Sequence, residues 1–140
     1  TRRAARPARQ AEGPAPVNAD RVLGIGGAFL ATGIVVGAMA AHALQKVLEP
    51  RQIDSLHTAV NYQLFNALGL LAIGLLMRQV TDLPALRGVA WLLIAGITCF
   101  SGGIYLMLAG APRFLGLVTP IGGVLLILAW SLFAIKLLRR

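Results

Sequence analysis

The chain has 140 residues, of which 57% are hydrophobic and 13% charged, with a mean hydropathy of +0.76; that is too apolar for a water-soluble domain of this length, so a bilayer is its natural solvent. Its formal net charge of +8 would suit a nucleic-acid binder, yet the cations sit outside the apolar runs, and no basic surface interleaved with aromatics remains to take nucleic acid as a partner. The single cysteine, Cys99, excludes an internal disulfide and lies in an apolar span where a thiol packs as a small hydrophobe.

A hydrocarbon layer about 30 Å thick takes about 20 residues of helix. Four runs meet or approach that length, and they predict helices at about 21–47, 51–79, 86–109 and 114–138. The expected fold class is therefore all-α: an integral membrane four-helix bundle filling residues 20–140 as one domain, behind a flexible basic tail at 1–19.

That tail, TRRAARPARQAEGPAPVNA, holds four arginines and three prolines and almost no large apolar side chain. It cannot bury enough surface to offset the entropy of ordering it. Its two readings are a solvated arm near anionic lipid and a segment that docks on a partner.

Asp20 is placed to cap the first helix, whose dipole favours a negative charge there. Within that helix Gly33, Gly37 and Ala41 recur every fourth residue, and Gly27 with Ala31 forms a second pair. Small residues at this spacing let two helix backbones approach closely in lipid. The predicted helix-packing set is Gly33, Gly37, Ala41, Gly102, Gly103, Gly122 and Gly123, used inside the monomer or between copies.

Between the first two helices lies a polar turn. His42 falls about 20 residues from Arg21, at the far boundary of the layer. Pro50 interrupts the helix, and Asp54 and Ser55 offer caps for the next one. Along the second helix Asp54, His57, Thr58, Asn61, Tyr62 and Asn66 share one half of the circumference, with Leu56, Val60 and Leu64 on the other. Asn66, about 13 Å deeper than His57 by helical rise, is the polar group expected deepest in the bundle. Such groups are either functional or interhelical hydrogen-bond glue.

A short loop, RQVTDLPALRG, leads to the third helix, with Trp91 at the membrane interface. Ser101 and Tyr105, four residues apart, share a face near the level of the polar turn. Before the fourth helix, Thr119 and Pro120 read as N-cap and first helical position, which leaves FLGLV as a separate helical turn; the alternative is a helix from Phe114 kinked at Pro120.

Ten of the thirteen basic residues (Arg2, Arg3, Arg6, Arg9, Arg21, Arg78, Arg87, Lys136, Arg139 and Arg140) fall on the tail, the middle loop and the C-terminus, while only Lys46, Arg51 and Arg113 fall on the two other connections. With an even number of crossings, the accumulation of Lys and Arg in cytoplasmic loops puts both termini on the cytoplasmic side. The expected location is a bacterial inner (cell) membrane, with the mitochondrial inner membrane as the second reading of an arginine-rich start.

The chemistry-bearing residues define one candidate polar pocket: His42, His57, Asn61, Tyr62, Asn66, Ser101 and Tyr105. Two histidines fall short of a metal or haem ligand set, since metal sites use three or four ligands. Ser55 near His57 lacks a third member and oxyanion donors, and the glycine-rich stretches lie inside apolar helices rather than in a phosphate loop. A transport path through the asparagines and tyrosines is opposed by the small size of the bundle and by the absence of an inverted repeat. No catalytic residue, metal or cofactor is expected.

The segments GAMAAHAL, LEP, TAVNYQLFNAL, FSGGIYLM and TPIGG, in this order and at these separations, resemble the YgdD and YwdK family of small four-helix membrane proteins, a domain of unknown function. The resemblance covers residues 22–136. Two positions depart from the family pattern: Ala40 stands where the family usually has Gly, and Asn66 where it usually has His. What the resemblance implies is fold and membrane location, not a reaction. The expectation for function is thus a non-catalytic small membrane protein, a structural or accessory subunit that contacts the bilayer and packs on membrane-protein partners or on itself. The alternative is a conduit or binding site for a proton, an ion or a small lipophilic molecule.

Overall fold

The computed structural model describes residues 19–80 and 83–139, so the expectations for the basic tail lie outside the described residues. Those residues are helical apart from short connections. Helix α1 runs over Ala19–His42, α2 over Pro50–Gln79, α3 over Leu83–Leu108 and α4 over Val118–Leu138. All four are long and apolar enough to cross a membrane.

Each helix end has a local cause. The first helix stops at His42, five residues before the expected end, and the chain tightens into a 3₁₀ turn at Leu44–Lys46. Pro50 then opens α2 at a position where its missing N–H is not needed. Asp54 and Ser55 do not cap it; Glu49 is the N-cap, and its backbone N–H donates to Gln52 Oε1 at 2.9 Å. Gly110, at φ +90°, ends α3, with the Ala111 N–H donating back to the Leu106 carbonyl at 3.0 Å. That left-handed residue is one glycine adopts without steric cost. A separate 3₁₀ turn, Arg113–Leu117, runs directly into α4, so FLGLV is a helical turn of its own while Leu117, not Thr119, is the N-cap.

The helices pack in sequence: α1 on α2, α2 on α3, α3 on α4. Only 17% of the most apolar window of α1, and 17% of that of α4, is buried, against 44% for α2 and 39% for α3. The outer pair therefore turn long apolar faces outward, including Ile34 and Val35 on α1 and Ile121, Val124 and Ile127 on α4. A continuous core of Val22, Leu70, Ile73, Val89, Leu93, Ile97, Leu126 and their neighbours joins all four.

Gly33 and Gly37 face α2, as their spacing predicts, but Ala41 is exposed and Ala40 is buried instead. The inner positions of α1 include Gly26, Gly33 and Ala40, a seven-residue repeat that stays on one seam when two helices wrap around each other. Gly122 lies against the backbone of Phe100, where a Cβ would overlap main-chain atoms. Gly103 abuts Thr119, Gly123 touches the Phe100 ring, and a Cβ at Gly102 would meet nothing within 4 Å.

Candidate functional site

The inward face of α2 is built from Ala59, Gln63, Asn66, Ala67, Leu70 and Gly74. Counting about 20 residues of 1.5 Å rise back from Arg78 puts the far edge of the hydrocarbon layer near Thr58. Gln63 and Asn66 then lie roughly 8 and 12 Å inside it, where an unpaired amide is costly.

Both are paired. Gln63 is 4% exposed; its Nε2 donates to the Phe29 carbonyl at 2.7 Å and to Thr32 Oγ1 at 2.9 Å on α1. Its Oε1 accepts the Tyr105 hydroxyl of α3 at 2.7 Å. One side chain thereby fills three of its four hydrogen-bonding positions across three helices. Thr32 passes its own proton to the Ala28 carbonyl at 2.8 Å.

Asn66 makes the second link. Its Nδ2 donates to the Tyr62 carbonyl at 2.8 Å, and its Oδ1 accepts the indole N–H of Trp130 on α4 at 2.8 Å. The indole lies over Gly69, where any Cβ would overlap the ring. A third link joins α3 to α2 through Ser101, whose Oγ donates to the Ala59 carbonyl at 2.7 Å.

The predicted pocket is divided by this arrangement. Asn66, Ser101 and Tyr105 face the helix interfaces, each in a different hydrogen bond. His42, His57, Asn61 and Tyr62 are exposed and do not join them. The outward half of α2 is the half predicted to be polar, because the small residues Ala59, Ala67 and Gly74 let neighbouring helices approach the other side. Its first three turns lie at or beyond the membrane boundary, where Asp54 and His57 are exposed and the Thr58 hydroxyl donates to the Asp54 carbonyl at 3.0 Å. The Tyr62 ring stacks on Phe100 with centroids 4.5 Å apart.

Gln63, Thr32 and Trp130 were not singled out by the sequence reading. Signals for two of them exist: Gln63 is an amide set among Ala59, Val60 and Ala67 on its side of the helix, and Trp130 places an indole N–H in mid-helix, away from the interface where tryptophan is favoured. Thr32 carries no such signal. Among the described residues no three His, Cys, Asp or Glu side chains are grouped as a metal site requires. The interior site is a set of neutral donors and acceptors, suited to holding helices together.

One flank stays open. Between α1 and α3, with Gln63 as its floor, runs a cleft of about 240 Å³ bordered by Phe29, Thr32, Ile97 and Tyr105. A second cleft of about 270 Å³, bordered by Leu44, Leu56 and Leu108, shares Val36 and Tyr105 with it.

Comparison with known proteins gives a consistent picture. Residues 36–123 match the family described as protein of unknown function (DUF423). The UPF0382 membrane protein YwdK of Bacillus subtilis is 33% identical over 114 residues, covering 81% of this chain and 91% of that protein. The UPF0382 membrane protein SSP2132 of Staphylococcus saprophyticus is 39% identical over 114 residues, 81% of this chain and 92% of its own length. A UPF0382 membrane protein of Haemophilus influenzae is 33% identical over 97 residues, 69% of this chain and 77% of its own. No solved structure matches.

Proposed function

This chain belongs to the DUF423 family of proteins of unknown function, and from that premise we propose that it is a non-catalytic structural or accessory membrane protein that packs laterally on membrane-protein partners or on a second copy. The observation that carries the reading is the pairing of the polar side chains along the α2 interfaces. Gln63, Asn66, Ser101, Tyr105 and Trp130 are committed to hydrogen bonds between or within helices, which leaves apolar helix faces as the surface on offer. The two outer helices present most of it, and exposed small residues such as Gly24, Gly27 and Ala31 on α1 would admit a neighbouring helix backbone.

In this reading the protein resides in a bacterial inner membrane with both termini on the cytoplasmic side, an orientation supported by the distribution of Lys and Arg. Gentle solubilisation followed by native gel analysis and mass spectrometry tests it. A discrete particle larger than the single chain, with stoichiometric companions or copies, is the expected result, and a monodisperse monomer in the mildest detergents would count against it. An optical spectrum of the same sample reports any bound chromophore.

A second reading is favoured by the open α1–α3 cleft: a binding site or conduit for a proton, an ion or a small lipophilic molecule, with Gln63 and Tyr105 on its floor. Flux across reconstituted vesicles that Tyr105→Phe abolishes would support that reading over the first.

A further inference from the structure

One end of the bundle, where α1 and α3 begin and α2 and α4 finish, carries Arg21, Arg78, Arg87, Lys136 and Arg139. The acidic side chain described at this end is Asp20, and it is engaged by Arg78 through both Nε and Nη2. The Nε of Arg87 is buried without a hydrogen-bond partner among the described residues. Among the described residues the end is thus rich in cations, with one carboxylate set against them.

Within it a cleft of about 70 Å³ opens among α2, α3 and α4. Leu76, Val80, Leu86 and Phe133 make its walls apolar, and Lys136 lies along it. A lysine on such a wall lays its methylene stem on hydrocarbon and carries its ammonium to the headgroup layer. Arg139, three residues on, falls on the same side of the helix end. The cleft is too small for a whole lipid, but on a scale where 10–15 Å³ admits one water it has room for the first methylenes of an acyl chain.

We propose that this cleft binds an anionic phospholipid, with its phosphate held by Lys136 and Arg139 and the top of one acyl chain between Leu76, Leu86 and Phe133. The apolar walls give a free inorganic anion nothing to gain. The cation excess disfavours the amine of a zwitterionic headgroup and favours a net negative one. A lipid seated here would bridge the ends of three helices, independently of whether the apolar flanks recruit protein partners.

The test uses the full chain in mild detergent, exposed to equimolar phosphatidylglycerol and phosphatidylcholine and read by native mass spectrometry. Phosphatidylglycerol adducts should exceed phosphatidylcholine adducts by about thirtyfold, the scale expected when two basic side chains contact one anionic headgroup. The preference should fall to near parity in Lys136→Met with Arg139→Gln, a pair that preserves helix packing, and should survive in Lys136→Arg and in Lys46→Gln at the opposite end. Equal retention of the two lipids by the unaltered chain would overturn the proposal. So would an undiminished preference in the double variant, or displacement of the lipid by inorganic phosphate alone, which would mark a bare anion site.

Discussion

The hydroxyl of Tyr105 donates to Oε1 of Gln63 at 2.7 Å, while the nitrogen of the same amide reaches Phe29 and Thr32 on α1. Helices α1 and α3 pack on α2 rather than on one another, so this amide is the polar tie between them. Replacing it with leucine keeps the volume but leaves the Tyr105 hydroxyl without its acceptor and withdraws the donor from Thr32 Oγ1. Gln63→Leu should destabilise the fold by about 1–2 kcal/mol, with a coupling to Tyr105→Phe of about 0.5–1.5 kcal/mol in a double-mutant cycle. Unfolding titration in mixed detergent micelles measures both, and additive losses would show the bond to be energetically idle.

Trp130 and Gly69 are matched by shape as well as by the bond to Asn66. Gly69→Ala should cost about 1–3 kcal/mol, because the indole has to leave its seat. Trimming the ring with Trp130→Phe in the same chain should return part of that loss, although the hydrogen bond to Asn66 is then absent. If the second change instead deepens the loss in melting experiments, the steric account of this pair is wrong.

At Gly122 the neighbour is the Phe100 main chain, which cannot rotate away. Gly122→Ala is expected to separate α3 from α4 and destabilise by about 1–3 kcal/mol. Gly24→Ala is the control, since nothing lies within 4 Å of the added methyl. Thermal stability of the two variants side by side should differ clearly, and equal behaviour would argue against close α3–α4 contact.

The two histidines lie apart from the interhelical bonds. His42→Ala and His57→Ala should each change stability by less than about 0.5 kcal/mol, as exposed substitutions do. Elemental analysis of the purified protein should show no metal that either change removes. A stoichiometric metal lost in His57→Ala would make the turn between α1 and α2 a site after all.

The crossing pattern has its own readout. In a Cys99→Ala background, Ser55→Cys and Arg113→Cys should react with a membrane-impermeant maleimide from outside the cell, whereas Arg139→Cys should react only after the membrane is opened. The opposite pattern would reverse the charge-based orientation, and labelling of all three from one side would change the number of crossings.

Membrane class, four helices and their approximate limits were legible in the sequence, because about 20 residues of helix must cover a hydrocarbon layer of fixed thickness and because Pro50 cannot continue a helix while a glycine such as Gly110 readily takes the left-handed conformation that ends one. Asn66 was also recognisable as a polar group at a costly depth, and Ser101 and Tyr105 as two polar groups on one face of their helix. Their partners were not. Whether Gln63 or Asn61 turns inward depends on which side of α2 its neighbours approach, and that depends on small residues at Ala59, Ala67 and Gly74 whose effect appears only when helices meet. The sequence by itself determined the solvent, the number of helices and which residues could not stay unpaired. Tertiary structure alone decided which residues satisfy them, because hydrogen-bond partners 31 to 64 positions apart are chosen by the rotation and spacing of helices, and no local pattern encodes those.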